Sequence, residues 1–426
     1  MDAKPRRLIV LTTFGSLGDL HPFIALGRGL KERGHNVVLA TSAFYQAKVE
    51  AEGLGFAPLR PNLPEWRRHP KKMARYLDLR RGTERVVKEL VMPHIRASYT
   101  DLLRAAEGAS LLVSHPLTYA TPLVAEMLGR PWASTMLAPL GFASSYDPPV
   151  LPGVPLVGHI RRLSPRFYSP FFAVMKAATR TWSAPWHALR NELGLAPAGA
   201  NPMFEGQHSP HLVLALFSRH FAAPQPDWPA KARTTGFVFY DRDGETQLDP
   251  ALAHFLESGP APIVFTLGSS AVWEAGAFYE QSIAAAKQLG QRAVLLTGRE
   301  TGNRPTALPD GIIAVDYVPY SQIFPRASAI VHQGGIGATG QAFRAGKPAL
   351  VMPYAYDQPD NAAHLRRLGV ARVIERDAYT FERAAVELGR LLEEPAYAQK
   401  AAALGRLAAG EDGVQTACDA LEELLR

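Results

Sequence analysis

One repeated unit limits what this chain can fold into: a short β-branched apolar run, a glycine-bearing turn, a helix-period stretch and a second apolar run. Leu8-Ile9-Val10-Leu11 is long enough for a buried strand and too short for a helix. It ends in Thr12-Thr13-Phe14-Gly15-Ser16-Leu17-Gly18-Asp19. Phe23, Leu26 and Leu30 then recur at helical spacing until Gly34 stops the helix, and Val37-Val38-Leu39-Ala40 is the next strand. Strands joined through a helix pair in parallel, because parallel neighbours need a crossover. The alternation recurs over 110–136. It restarts at Ile263-Val264-Phe265-Thr266-Leu267 and runs through strands at 293–297, 329–332 and 349–352 to a helix over 359–368. The expected fold class is α/β, with two doubly wound Rossmann-like domains facing each other across a cleft.

A chain of 426 residues accommodates two such domains. The break is expected at Ala222-Ala223-Pro224-Gln225-Pro226-Asp227-Trp228-Pro229, where closely spaced prolines deny helix and central strand. The division is then 1–222 for the N-terminal domain, 223–235 for the linker and 236–408 for the C-terminal domain. A final helix over 409–426 packs back on the N-terminal domain. The region from 139 to 201, rich in proline and aromatics, reads as an insertion with short helices. In open α/β sheets ligands bind beyond the carboxyl ends of strands, so the sites belong in turns that follow strands.

Hydrophobic residues make up 47% of the chain and charged residues 20%, which excludes disorder as the general state. No apolar run approaches the ~18–20 residues a membrane helix needs. The N-terminal Lys4-Pro5-Arg6-Arg7 leads into too short an apolar run for a signal peptide. The single cysteine, Cys418, allows no internal disulfide and no cysteine-based metal site. A cytoplasmic location is expected. Basic residues exceed acidic ones by 46 to 39, and eleven of the 46 fall within 67–104, against four acids there. That region reads as a solvated helical face or as a peripheral contact with anionic membrane. No RNA-binding signature or zinc-finger spacing accompanies it, so no nucleic-acid partner is expected.

The richest turn is His332-Gln333-Gly334-Gly335-Ile336-Gly337-Ala338-Thr339-Gly340. Glycines let a ligand approach the backbone, and the following helix offers unpaired N–H groups with a partial positive charge, which together suit a phosphate. A tight strand–helix packing turn needs fewer glycines than this. Gly335 to Gly340 also matches the dinucleotide fingerprint G-x-G-x-x-G, with Asp357 near the distance of a ribose-binding acid. An NAD(P)-dependent oxidoreductase is therefore an alternative. Against it, Pro353-Tyr354-Ala355-Tyr356 separates Asp357 from the preceding strand, and the fingerprint gives His332 and Gln358 no role.

From 317 to 362 the chain carries Y-V-P-Y, then V-H-Q-G-G-I-G-A-T-G, then A-G-K-P-A-L-V-M-P-Y-A-Y-D-Q-P-D-N-A. This resembles the donor-binding signature of family 1 glycosyltransferases, which have the GT-B fold. The N-terminal G-S-L-G-D-L-H-P-F-I-A-L looks like the opening of their bacterial and sterol-type branch, as do A-P-Q-P-D-W-P and F-T-L-G-S-S. Rhamnolipid-forming rhamnosyltransferases are the nearest likeness. The resemblance implies an inverting, metal-independent transfer of a hexose from a nucleotide-diphosphate sugar, of UDP-glucose or dTDP-rhamnose type, to a hydroxyl of an apolar acceptor: a phenolic or flavonoid, a lipid or a sterol-like molecule. It implies no cofactor beyond that donor. A nucleotide-sugar-binding protein without catalysis is the remaining alternative.

Carried onto this chain, the resemblance has Tyr317 stack on the nucleobase and the Val318 backbone bond its edge. His332 and the amides of Gly337, Ala338 and Thr339 hold the diphosphate, with Gly15, Gly334 and Gly335 giving close approach and Ser269 and Ser270 assisting. Asp357 and Gln358 bond the sugar hydroxyls. Gly340 stands where plant-type members have a glutamate for the ribose, which leaves room for a deoxyribose nucleotide.

Transfer needs a base for the acceptor hydroxyl. Asp19 occupies the position of the plant-type catalytic histidine and is the expected base; its bland reading is a helix N-cap. His115 follows the strand over 110–114, near where plant-type members place an aspartate, so an exchanged Asp19–His115 pair is expected, against the plain reading of a structural histidine. His21 and Phe142 are assigned to the acceptor side, and Phe167, Tyr168, Phe171 and Phe172 supply further aromatic surface. Asp241-Arg242-Asp243 has metal-binding D-x-D spacing but lies in a polar stretch, so no metal site is expected there.

Overall fold

The computed structural model describes residues 6–62, 70–151, 165–241, 248–299 and 302–426. The chain divides into two compact units. The first comprises 1–76, 80–240 and 412–426, and the second 77–79 and 241–411.

The first unit is built on a seven-stranded sheet of order β3-β2-β1-β4-β5-β6-β7. Its strands are β1 (Leu8–Thr12), β2 (Asn36–Thr41), β3 (Gly55–Pro58), β4 (Leu111–Ser114), β5 (Trp132–Met136), β6 (Leu212–Ala215) and β7 (Ala232–Thr234). All neighbours pair in parallel; Val10 lies opposite Val38 on one side and Leu112 on the other. Ile9, Val10 and Leu11 are fully buried, as a central parallel strand covered on both faces requires. The chain winds outward from β1 to β3, then returns to β1's other side as β4. The β1/β4 junction is therefore the point where the strand order reverses.

The second unit repeats the scheme with β8 (Ile263–Thr266), β9 (Ala293–Leu296), β10 (Ile312–Val315), β11 (Ala329–His332), β12 (Ala349–Val351) and β13 (Ala371–Val373), in the order β10-β9-β8-β11-β12-β13. Its reversal point lies between β8 and β11. Alternate residues feed two cores: Ile263, Phe265, Ala329 and Val331 pack into one, Val264 and Ile330 into the other. That is the period of two of a strand buried on both faces.

The proline-rich stretch 223–235 is not the linker expected from sequence. It lies wholly within the first unit, and β7 pairs with β6. Proline does keep helix and strand out of 224–229, but β7 begins directly beyond it. The chain passes between units at 240/241, where consecutive side chains are fixed on different bodies: the Tyr240 hydroxyl bonds Glu52, and the Asp241 carboxylate takes two bonds from Arg344.

The last helix, Gly413–Leu424, starts at the Asp412 N-cap, later than the expected 409, because 409 still belongs to the helix Pro395–Ala409. It belongs to the first unit and packs on the first helix, Leu17–Glu32. Gly29 permits the approach, since a Cβ there would lie 2.8 Å from Val414 and 3.0 Å from the Cys418 sulfur. Arg33 bonds Asp419 and Glu422, and His35 Nε2 lies 3.1 Å from Glu422.

In the basic region, Arg75 pairs with Glu89, Lys88 with Glu84 and Arg96 with Glu192, while Asp101 takes Arg60 from outside it, the pattern of a solvated face. Arg67 and Arg68 lie outside the described residues. No helix among the described residues is long and apolar enough to cross a membrane.

Candidate active site

In the first unit, the turns after β1 and β4 bring Asp19 and His115 together at the reversal point. Ser16 is the N-cap of the first helix, and Asp19 is its third residue. The two form a capping box, so Asp19 is not itself the N-cap. Asp19 Oδ2 accepts from the Ser16 amide at 2.7 Å and the Ser16 hydroxyl at 3.1 Å. Its Oδ1 lies 3.2 Å from His115 Nε2. The Leu117 amide donates to His115 Nδ1 at 3.1 Å, so the ring proton sits on Nε2 and is donated to Asp19. His115 is buried, whereas the Asp19 side chain is about one-third exposed. The carboxylate is thus held in place and still open to a ligand.

Gly15, expected to give a donor close approach, and two features missed by sequence reasoning build this corner. Gly15 has φ +139°, and a Cβ there would stand 2.3 Å from Asp19 Oδ2. The Tyr45 hydroxyl donates to the Gly15 carbonyl at 3.0 Å. Below them the buried Thr12 hydroxyl contacts those of Thr118 and Thr121 at 2.8 and 2.9 Å, tying β1 to the segment after β4. Thr118 in turn donates to the His115 carbonyl. The hydroxyl pattern Thr12…Thr118-x-x-Thr121 was visible in the sequence but had no spacing rule to connect it.

The His21 ring lies 4.7 Å from that of Tyr240, tilted to it by 35°. Phe142, expected to touch an acceptor, is buried and stacked on Trp228 with ring centroids 3.9 Å apart. Tyr168 and Phe172 are likewise buried, in a small cluster of their own. The Phe167 side chain lies outside the described residues.

In the second unit the turns after β8 and β11 meet at the other reversal point. His332 ends β11 and is fully buried. Its Nδ1 accepts from the Gly334 amide at 3.0 Å, which places the proton on Nε2, and Nε2 has no hydrogen-bond partner among the described residues. Burial lowers its pKa to about 4. His332 is therefore a neutral donor and adds no positive charge.

Gly334 has φ +85°, and a Cβ would lie 3.0 Å from the Gln358 carbonyl. The helix Ile336–Ala345 starts next, with Gly335 as N-cap. The amides of Ile336, Gly337 and Ala338 precede the first intrahelical bond and point from the N-terminus. The Thr339 amide does not join them: it donates to the Gly335 carbonyl at 2.9 Å. Its expected place on a diphosphate is corrected accordingly.

Gln333, which sequence reasoning left without a role, lies against both turns. A Cβ on Gly268 would be 2.2 Å from its Nε2, and one on Gly335 2.8 Å. Its Oε1 is buried and without a partner among the described residues. Ser269 and Ser270 follow Gly268 and are half-exposed.

Tyr317 is 48% exposed beyond β10, with the Arg299 guanidinium 5.5 Å from its ring centre; Val318 beside it is buried. Asp357 stands at the N-cap of the helix Gln358–Arg367, after Tyr356 at φ +60°. Its carboxylate accepts from Asn361 Nδ2 at 2.7 Å, and the same amide group donates to the Gly334 carbonyl at 2.9 Å. Asn361 thus ties the D-Q helix to the glycine turn. Gln358 is buried, and its Oε1 accepts the Tyr354 and Ala355 amides, leaving only its NH2 group for a ligand. Asp241, held by Arg344, is the described member of the D-x-D triplet; Arg242 and Asp243 lie outside the described residues.

Residues 9–140 match the glycosyltransferase family 28 N-terminal domain, and 280–424 match the erythromycin biosynthesis protein CIII-like C-terminal domain. The chain is 32% identical to the O-mycaminosyltylonolide 6-deoxyallosyltransferase of Streptomyces fradiae, over 97% of each protein. The chain belongs to the family 1 GT-B glycosyltransferases. This glycosyltransferase is also 26% identical to a sterol 3-beta-glucosyltransferase of Arabidopsis thaliana, over 99% of the chain and 68% of that protein. Its fold matches that of glycosyltransferase VinC, solved in complex with DTDP, with TM-score 0.68 and 21% identity over 98% of the chain and 99% of VinC. Sugar transfer from a nucleotide sugar is the activity of the family, and the oxidoreductase alternative has no support among the relatives.

Proposed function

We propose that this glycosyltransferase is an inverting, metal-independent hexosyltransferase that moves a 6-deoxyhexose from a dTDP-sugar to a hydroxyl of an apolar acceptor. The observation that carries the donor half is the His332 Nε2–H: a buried donor without a partner costs about 1–3 kcal/mol, and a diphosphate oxygen would satisfy it. The amides of Gly337 and Ala338 and the dipole of the Ile336–Ala345 helix add stabilisation as the departing diphosphate gains charge. Tyr317 offers an exposed face to the base, and Asp357 and the NH2 of Gln358 serve the sugar hydroxyls.

In the acceptor half, Asp19 takes the proton of the attacking hydroxyl. The acceptor oxygen forms its bond to the anomeric carbon from the side opposite the diphosphate, the carbon–phosphate-oxygen bond breaks, and the electron pair leaves with the diphosphate. His115 donates to Asp19 throughout and fixes the carboxylate's direction. No step requires a metal, and the one described D-x-D carboxylate is already held by Arg344.

The preference for dTDP rests on Gly340, which brings no carboxylate to a ribose 2′-hydroxyl, and on the likeness to a 6-deoxyallosyltransferase. The sterol glucosyltransferase relative favours UDP-glucose as the second reading. A mass-spectrometric screen of dTDP-rhamnose and UDP-glucose against phenolic, hydroxy-fatty-acid and sterol acceptors, with EDTA present, tests both. Product from the dTDP-sugar supports the first reading, product from UDP-glucose alone selects the second, and activity lost to EDTA contradicts metal independence.

A further inference from the structure

The proline run 224–229 has no part in the chemistry above, yet its two non-proline landmarks are tightly engaged. Asp227 Oδ1 accepts the Ser144 hydroxyl at 2.5 Å, and Oδ2 accepts the Ser145 amide at 2.6 Å. The Ser144 oxygen itself accepts the amides of Tyr146 and Asp147 at 3.1 and 3.2 Å. Trp228 lies flat on Phe142, with an interplanar angle of 12°, and meets Phe217 edge-on at 6.0 Å. One carboxylate and one indole thus hold the loop 142–147, the segment that leaves the carboxyl end of β5.

Two properties of that loop point beyond packing. Ala143 sits at φ +46°, a left-handed conformation that costs a non-glycine residue about 1–2 kcal/mol and persists only where the surroundings enforce it. The loop also carries apolar surface. Tyr146 is 54% exposed, and Ala143 packs against the small separate cluster of Tyr168 and Phe172 on the helix Pro165–Thr179, whose Val174 is 67% exposed. β5 is the direct neighbour of β4, the strand that delivers His115.

We propose that Asp227 and Trp228 are positioning residues for the acceptor: by fixing loop 142–147 they fix the apolar surface on which the acceptor's hydrophobic body rests while its hydroxyl reaches Asp19. This rests on the glycosyltransfer reading given above. Selectivity among acceptors is then set in part by residues more than eighty positions downstream of the loop they shape.

The test is steady-state kinetics on D227N and S144A, which weaken the same link from opposite sides, and on the double variant. A compact phenol and a long-chain hydroxylated lipid serve as acceptors. Both single variants should raise the lipid KM about tenfold while kcat and the nucleotide-sugar KM stay within about twofold, and the phenol should be affected less. The double variant should raise the lipid KM by less than the product of the two single effects, since the changes share the Asp227–Ser144 bond although each also loses bonds of its own. Equal losses for both acceptors, or a matching loss in nucleotide-sugar KM, would overturn the assignment, as would unchanged acceptor selectivity. Should D227N fail to fold, S144A reads the same link alone. A wild-type protein that transfers to no acceptor would instead count against the glycosyltransfer reading.

Discussion

Asp19 has one carboxylate oxygen committed to Ser16 and the other bonded to a neutral His115, so its direction is set before any acceptor arrives. Asp19→Asn should lower kcat by about 10²–10⁴ while leaving nucleotide affinity intact, as measured by turnover and calorimetry. His115→Ala removes orientation and not the base, so kcat should fall less and the nucleotide-sugar KM should hold. His332 makes a separate prediction in pH. Its folded pKa lies near 4 against an ordinary 6.5, so below pH 6.5 the unfolded chain takes up a proton that the folded chain refuses. Stability should therefore fall as pH drops from 6.5 towards 4, by up to about 3 kcal/mol, and the loss should be smaller in His332→Gln. Denaturant titrations across that range measure it, and equal slopes in the two proteins would contradict it.

Among elements, the glycine turns after β1, β8 and β11 were legible in the sequence because strand, turn and helix each leave a pattern, and both candidate sites lie on such turns. The edge strands β3, β7 and β13 were not: G-F-A-P, A-R-T and A-R-V are short and half-exposed, with no apolar run to read. β6 and β10 are apolar but short, and neither is read as a strand in the sequence. The Thr339 error has a similar origin, since which amide begins the helical ladder depends on where Gly335 caps it, a matter of one residue. Ser16 shows one element serving two purposes. Ser16→Ala should cost about 1 kcal/mol of stability through the lost cap and should also lower kcat, because Asp19 loses a restraint. Thermal unfolding and turnover of that variant should move together.

At the scale of the whole molecule, the proline run carries the compositional mark of a boundary, and the actual crossing at 240/241 carries none. Its signal is Tyr240 and Asp241 each finding a partner on a different body, which no single-sequence pattern reveals. The return crossing brings the C-terminal helix onto the first helix, where the buried Glu422 meets the buried His35 and the partly exposed Arg33. Glu422→Ala should destabilise the first unit by about 1–2 kcal/mol, seen as a lowered denaturation midpoint, with nucleotide affinity unaffected. In the proposed reaction labour is divided, the first unit activating the acceptor and the second holding the nucleotide. Calorimetric titration of dTDP, run beside turnover, into the wild type, Asp19→Asn and His332→Ala tests it most directly. The predicted result is wild-type affinity without turnover in Asp19→Asn, and affinity weakened about tenfold or more in His332→Ala. Full nucleotide affinity in His332→Ala, or near-normal turnover in Asp19→Asn, would contradict it.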